Sequence, residues 1–235
     1  MRKSFIFSIL TALALLTVAV AVVPTRTNAQ GAGLVSSIIN RMERNRRDLK
    51  SLRAGISMTK FNAQIRDEDK LSGEVRYLPG TGRNAFVRVD WRSPQQETLA
   101  VAGGKYTLFR PRLNMAYVGD ANSSRNDKVG GVLGFGLNVS RTQLASAYES
   151  PQYLGEETLW GGVRTTHLKL VPKGNARFKF AEIWVDGEGM PIQTKVVEKN
   201  NDSTTVRLTN IQKNIRLSTD DFSISLPSDV KKVRG

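Results

Sequence analysis

Residues 98–109 read TLAVAGGKYTLF, two apolar runs separated by Gly103 and Gly104. A two-residue hairpin turn needs positive φ at its centre, and glycine adopts it without a Cβ clash. The two runs are therefore adjacent antiparallel strands. The same grammar extends outwards. GISMTKFNAQI (55–65), LSGEVRYL (71–78), AFVRVDW (85–91), ETLAVAG (97–103), KYTLF (105–109) and NMAYV (114–118) alternate apolar and polar residues. A second group follows: VRTTHLKL (163–170), RFKFAEIWV (177–185), PIQTKVVEK (191–199), STTVRLTNIQKN (203–214) and FSISLP (222–227), punctuated by the turns PKGN, DGEG and NND. About eleven strands result. No helix separates successive strands within a group, so a parallel sheet built from βαβ units is not expected. The expected product is one long antiparallel sheet, curled because strands twist.

Two helical segments accompany the strands. GLVSSIINRMERNRRDLKSL (33–52) puts Val35, Ile38, Ile39 and Met42 on one face, with Leu49 a heptad beyond Met42, which predicts an amphipathic helix with a basic outer face. Between the strand groups lies GGVLGFGLNVSRTQLASAY (130–148). Ser140 with Gln143 three residues later is a capping-box signature, so a short helix begins after Ser140, carries Leu144 and Tyr148 on one side, and is closed by Pro151. Ahead of it, Val132, Leu133, Phe135 and Leu137 sit among Gly130, Gly131, Gly134 and Gly136.

Composition removes several function classes. The chain has no cysteine, which excludes thiol catalysis, Fe–S clusters, Cys-based zinc sites and a lipid anchor on its own cysteine. His167 is the single histidine, and on its strand it points away from Leu168 and Leu170, hence towards solvent. No catalytic residue, cofactor or metal ligand is expected, and GFG at 134–136 is neither a dinucleotide fingerprint nor a P-loop. Arg2 and Lys3 ahead of FIFSILTALALLTVAVAVV, with small residues at Thr27 and Ala29, predict a signal peptide over residues 1–29 and one exported domain over 30–235; the apolar run is also long enough to stay uncleaved as a membrane anchor. The net charge is +14, and only Arg2, Lys3 and Arg26 of the cations lie in the leader, so the remainder stays strongly basic and suits anionic partners. The cations are scattered and no base-stacking motif stands out, so nucleic acid is not an expected partner. RNRR at 44–47 makes Arg44, Arg46 and Arg47 candidates for docking an acidic partner.

A long sheet with one apolar face needs cover, and two short helices are poor cover for it. A curled sheet roofed by helices leaves a cavity between them. Trp91, Val101 and Leu108 are the candidates for its sheet side; Leu133, Phe135, Leu137, Leu144 and Tyr148 are the candidates for a lid hinged at the glycines. A closed barrel filled by these same side chains is the alternative that pattern alone leaves open.

In the order of these features the sequence resembles the LolA-type periplasmic lipoprotein carriers across nearly all of residues 30–235. The matching features, in order, are the helix, RNAFVRVDWRSPQQETLAVAGGKYTLFRP, the apolar middle segment, GGVRTTHLKLVPK, FAEIWVDGEGMPIQTKVVE and FSISLPSDVKKV. The resemblance implies an incomplete barrel closed by helices, and a monomeric carrier with no enzymatic activity. Such a carrier accepts lipoproteins from an inner-membrane ABC exporter, shields their acyl chains and delivers them to an outer-membrane acceptor. A carrier of another lipid or glycolipid, and a lipid-sensing regulator, are the other functions the same scaffold allows. Two departures stand out. Many members carry Arg before a Pro on an early strand to latch the lid, whereas here Leu78 precedes Pro79, leaving Arg76, Arg83 and Arg88 as stand-ins; Gly103 replaces an aspartate in the turn before Lys105.

Overall fold

The computed structural model describes residues 27–80, 85–121, 137 and 139–234. Contacts divide the chain into residues 1–33 and 34–235. Of the first unit only 27–33, the opening turns of a helix, are described; the expected leader otherwise lies outside the described residues. The second unit holds the sheet and the remaining helical turns.

Helix α1 (Thr27–Asp48) leads into six strands: β1 (Leu52–Asn62), β2 (Asp67–Leu78), β3 (Phe86–Ser93), β4 (Glu97–Ala102), β5 (Lys105–Arg110) and β6 (Met115–Asp120). Helix α2 (Arg141–Ala147) precedes β7 (Gln152–Leu159), β8 (Val163–Leu170), β9 (Phe178–Val185), β10 (Pro191–Glu198) and β11 (Ser203–Lys213), and β12 (Lys231–Arg234) ends the series. All twelve strands form one sheet in the order β12-β6-β5-β4-β3-β2-β1-β11-β10-β9-β8-β7. It is open, with β12 and β7 as its edges. Every pairing is antiparallel except β12 with β6. The deciding hairpin is as expected: Ala102 pairs with Lys105 and Val101 with Tyr106, across Gly103 at φ 57° and Gly104 at φ 75°.

The registers assign the two faces. Leu52, Ala54, Ile56 and Met58 share a side with Tyr77, Val75 and Leu71 on β2, with Val87, Val89 and Trp91 on β3, and with Val206 and Leu208 on β11. We call this the inner face. Through Val206–Thr194 and Thr194–Ile183 it continues to Ala181, Ile183, Leu168 and Leu170. Ile38, Ile39 and Met42 of α1 form a buried cluster with those residues and Val185, with Val35 packed at its margin, so the expected stripe lies on the inner face. Gly189, in the β9–β10 turn at φ 90°, is pressed against α1 so closely that a Cβ would stand 2.3 Å from the Arg41 carbonyl carbon. Only glycine allows this approach, which seats the helix.

Two expectations are corrected. FSISLP does not enter the ladder. Thr219–Phe222 form a 3-10 turn, started by Ser218 and Asp221 in a reciprocal cap, and Ser223–Pro227 carry no strand pairing. Phe222 is 1% exposed and lies 5.8 Å from the Phe86 ring, on the outer face of β3 and β4. Alternation at Phe222, Ile224 and Leu226 marks side chains that face protein, and here they do so from a segment laid across the sheet. In its place the sheet gains β7 and β12, which the sequence does not signal. β7 is exposed at six of its eight positions, and β12 is the cationic run KKVR, so neither carries an apolar period. Truncating Phe222 to Ala removes the ring that pins this outer segment; urea unfolding is expected to show a loss of about 3–5 kcal/mol.

Candidate functional site

The inner face divides into a covered and a less covered region. Leu49, Leu52, Ala54, Ile56, Met58, Val75, Tyr77, Val89 and Trp91 form a buried cluster that also includes Leu137. Leu144 of α2 joins the α1 cluster instead. Beyond Trp91 the apolar floor continues across β4 to β6. Val101 pairs with Val87 and Tyr106, Leu99 with Leu108, and Leu108 with Tyr117, all on the inner side. Val101, Leu108, Met115 and Tyr117 are half-buried and belong to neither cluster. A chain of apolar side chains thus leads out from under the helices towards the β12 edge, flanked on the same side by the Arg110–Glu97 ion pair at 3.1 Å, whose guanidinium lies over the Tyr117 ring.

The sequence candidates fall into place unevenly. Trp91, Val101 and Leu108 share this floor, with Trp91 at its buried end. Leu137 and Leu144 are buried against the sheet from the helical side. Tyr148, just past α2, is half-buried; its ring lies 6.4 Å from that of Phe178, and burial pushes its hydroxyl up to about 12. Leu133 and Phe135 lie outside the described residues.

The capping box at α2 forms as expected: Gln143 N–H donates to Ser140 Oγ at 3.2 Å, and Ser140 N–H to Gln143 Oε1 at 2.8 Å. The neighbouring N–H, that of Arg141, finds its acceptor on the other helix, at Glu43 Oε2, 3.1 Å away. The Arg141 guanidinium donates to Asn40 Oδ1 at 2.7 Å. Glu43 also accepts from Arg46 at 2.8 Å and from Arg47 at 3.1 Å. Hydrogen bonds from Arg46, then those from Arg141 N–H and Arg47, outweigh desolvation and hold the Glu43 carboxyl down at about 2. This carboxylate ties α1 to α2.

The expected stand-ins for a latch do other work. Arg76 donates to Glu74 at 3.1 Å. Arg88 binds Asp90 and reaches the Ser223 carbonyl at 2.7 Å, so it fastens the outer segment and not the helices. Arg83 lies outside the described residues. Sequence reading missed Glu43 because it looks like an exposed helix charge; the available signal was its place immediately after Met42, at the margin of the apolar stripe. Of the docking candidates, Arg46 is engaged with Glu43 and half-buried, Arg47 is exposed beside it, and Arg44 lines a polar recess of about 250 Å³ with Asn45, Asp48, Leu49, Glu188, Lys213 and Asn214.

His167 requires a correction: its side chain is 17% exposed and does not stand in solvent. It stacks on Trp184 with centroids 4.0 Å apart, between Glu157 at 3.6 Å and Glu182 at 3.8 Å. Trp184 on the neighbouring strand is large enough to cover that side of β8, and its Nε1 donates to Glu157 at 2.6 Å. The imidazole is thus packed among an aromatic ring and two carboxylates. Among the described residues no cluster of ligands could hold a metal ion.

A family model described as Outer membrane lipoprotein carrier protein LolA matches residues 83–225, more than half of the 235-residue chain. Among curated proteins no sequence matches. Among solved structures, the chain is similar to MucB, with 14% identity and a TM-score of 0.54 over 83% of this chain and 64% of that one. This chain therefore spans less than two thirds of MucB. It is also similar to an uncharacterized conserved protein from Thermus thermophilus, with 14% identity and a TM-score of 0.52 over 86% of this chain and 99% of that one. A putative outer membrane lipoprotein-sorting protein domain from Vibrio parahaemolyticus aligns at 14% identity and a TM-score of 0.43, over 83% and 96%. At these identities the likeness to MucB and to the Thermus thermophilus protein is one of fold.

The Glu43 contact has a pH signature. Its carboxyl titrates at about 2 in the folded chain against an ordinary 4.5, so the stabilisation is complete above pH 4.5 and is lost as pH falls towards 2. Glu43→Gln is expected to cost about 1–3 kcal/mol at neutral pH, read from denaturant midpoints. The gap between the two proteins should close progressively below pH 4.5.

Proposed function

Because the chain belongs to the outer membrane lipoprotein carrier family, we propose that it shields the acyl chains of lipoproteins on the inner face of its open sheet. In this reading the leader directs the chain to the periplasm. An ABC exporter of the inner membrane supplies the cargo, and an acceptor at the outer membrane receives it. The observation that carries the proposal is the half-buried apolar floor of Val101, Leu108, Met115 and Tyr117, which continues from the buried Trp91 beyond both helix-covered clusters.

The energetics explain the need. At about 0.8 kcal/mol per buried methylene, a ~16-carbon chain has roughly 12 kcal/mol at stake on leaving water. A lipidated protein does not cross an aqueous gap unaided at a useful rate. Release at the far side also has to be accessible, so the carrier must hold the chain less completely than a bilayer does. An open sheet with a cover built from separate helices meets both demands. Leu137 and Leu144 form part of the cover; from the sequence alone, Leu133 and Phe135 are proposed as further acyl-chain contacts. The empty floor would otherwise expose a continuous apolar patch, a hazard for aggregation. The Glu43–Arg141 contact would hold α1 and α2 together as one part of that cover.

Displacement of a fluorescent fatty acid tests the floor. Leu108→Asp places a carboxylate among apolar side chains and is expected to weaken probe binding by about tenfold or more while circular dichroism stays native. Phe135→Asp tests the cover in the same way. Absence of probe binding in the unaltered protein, or unchanged affinity in both folded variants, would contradict the reading. Mass spectrometry of co-purified lipids identifies the cargo: an acylated protein supports sorting, and a free glycolipid opposes it.

A further inference from the structure

At the corner where β5 turns into β6, the chain forms a 3-10 turn, Pro111–Leu113, that ends on Asn114 in the left-handed region at φ 49°. Leu113 is 57% exposed at its tip, and Arg112 beside it is exposed as well. The Asn114 carbonyl accepts from Lys231 N–H at 3.0 Å, which starts β12 alongside β6. β12 is the outermost strand on this side and carries Lys231, Lys232 and Arg234, all exposed. Among the described residues none of these four cations is paired with an acid. Asp229 accepts from Asn114 Nδ2 at 2.8 Å, so four positive charges meet one negative, an excess of three.

Two kinds of partner compete for such a corner. An acidic peptide could add a strand to β12. Yet β12 is four residues long and three of them are cationic, the pattern by which edge strands resist pairing with another chain. A folded acidic protein would need a pocket for the protruding leucine. An anionic lipid surface needs neither register nor pocket: phosphates meet the cations, and the leucine enters the boundary between headgroups and acyl chains.

We propose that this corner docks the protein on an anionic phospholipid surface, with Leu113 dipping into the headgroup layer and Arg112, Lys231, Lys232 and Arg234 meeting phosphates. β12 lies outside the residues that the family model matches, and the docking does not depend on the carrier reading. The surface would hold the β12 edge, where the apolar floor leads out, against the source or destination of a lipid.

Cosedimentation of the full chain with phosphatidylcholine vesicles, with and without phosphatidylglycerol, tests it. Binding should require phosphatidylglycerol and weaken steeply with added salt. Each basic residue near an anionic surface is worth about fivefold, so Lys231→Gln combined with Lys232→Gln should reduce the affinity by about 25-fold. Leu113→Asp should also weaken it. No sedimentation with the anionic vesicles, equal binding to neutral ones, or retention of full affinity in the double variant would overturn the proposal. Fatty-acid probe uptake by the same variants separates the two ideas: it should stay intact when vesicle binding is lost. A wild-type protein that binds vesicles but takes up no probe would sink the carrier reading and leave the docking corner standing.

Discussion

The structure is governed by a mismatch between an apolar surface and its cover. Twelve strands in one open sheet give an inner face that runs from Leu168 and Ile183 through Met58 and Val75 to Trp91, Leu108 and Tyr117. Such a face gains free energy only where something excludes water from it. α1 and Leu137 do this over the central and β8–β9 regions, and α2 adds Leu144. On the inner side of β4–β6, Leu99, Val101, Leu108, Met115 and Tyr117 are half-buried, while Tyr106 is buried. The same side also carries the Arg110–Glu97 ion pair at 3.1 Å, with the Arg110 guanidinium 5.4 Å from the centre of the Tyr117 ring. Retaining an apolar floor with partial cover is consistent with a site that receives hydrocarbon.

The two faces are fastened by different chemistry. The outer face of β3 and β4 is sealed by Phe222 and by Arg88 reaching the Ser223 carbonyl, a permanent closure made of a buried ring and a charge-assisted hydrogen bond. On the inner side, Glu43 bridges α1 and α2 through the backbone of Arg141. This contact joins helix to helix, and each helix is also tied to a strand connection: Arg41 of α1 donates to the Gly187 carbonyl at 3.3 Å, and Lys173 N–H donates to the Ala147 carbonyl of α2 at 2.9 Å.

Much of this was legible in the chain itself. The Gly103–Gly104 turn, the alternation of β1 to β6 and β8 to β11, the Ile38–Met42 stripe and the Ser140–Gln143 cap are local patterns, and local patterns survive folding. What failed was long-range. β12 exists because Asn114 and β6 stand next to it, far away in sequence, and KKVR alone has no strand signature. β7 is an edge strand with most side chains in water, so it has no apolar period to read. FSISLP has that period and still lies across the sheet, since alternation reports burial and not hydrogen bonding. His167 followed strand parity correctly, but its exposure depended on Trp184, a neighbour that one strand cannot disclose. The floor residues Trp91, Val101 and Leu108 were accessible from parity, whereas the Glu43 bridge needed the two helices in place.

If the inner face binds the acyl chains of a lipoprotein in water, the complex itself must be soluble. Native mass spectrometry of the protein mixed with a triacylated lipoprotein, after removal of detergent, tests this most directly. The expected result is a soluble complex of one carrier with one lipoprotein, absent when the cargo's acyl chains are removed. A lipoprotein that precipitates in the presence of the protein, or a complex that forms equally well without acyl chains, would contradict acyl-chain binding on this face.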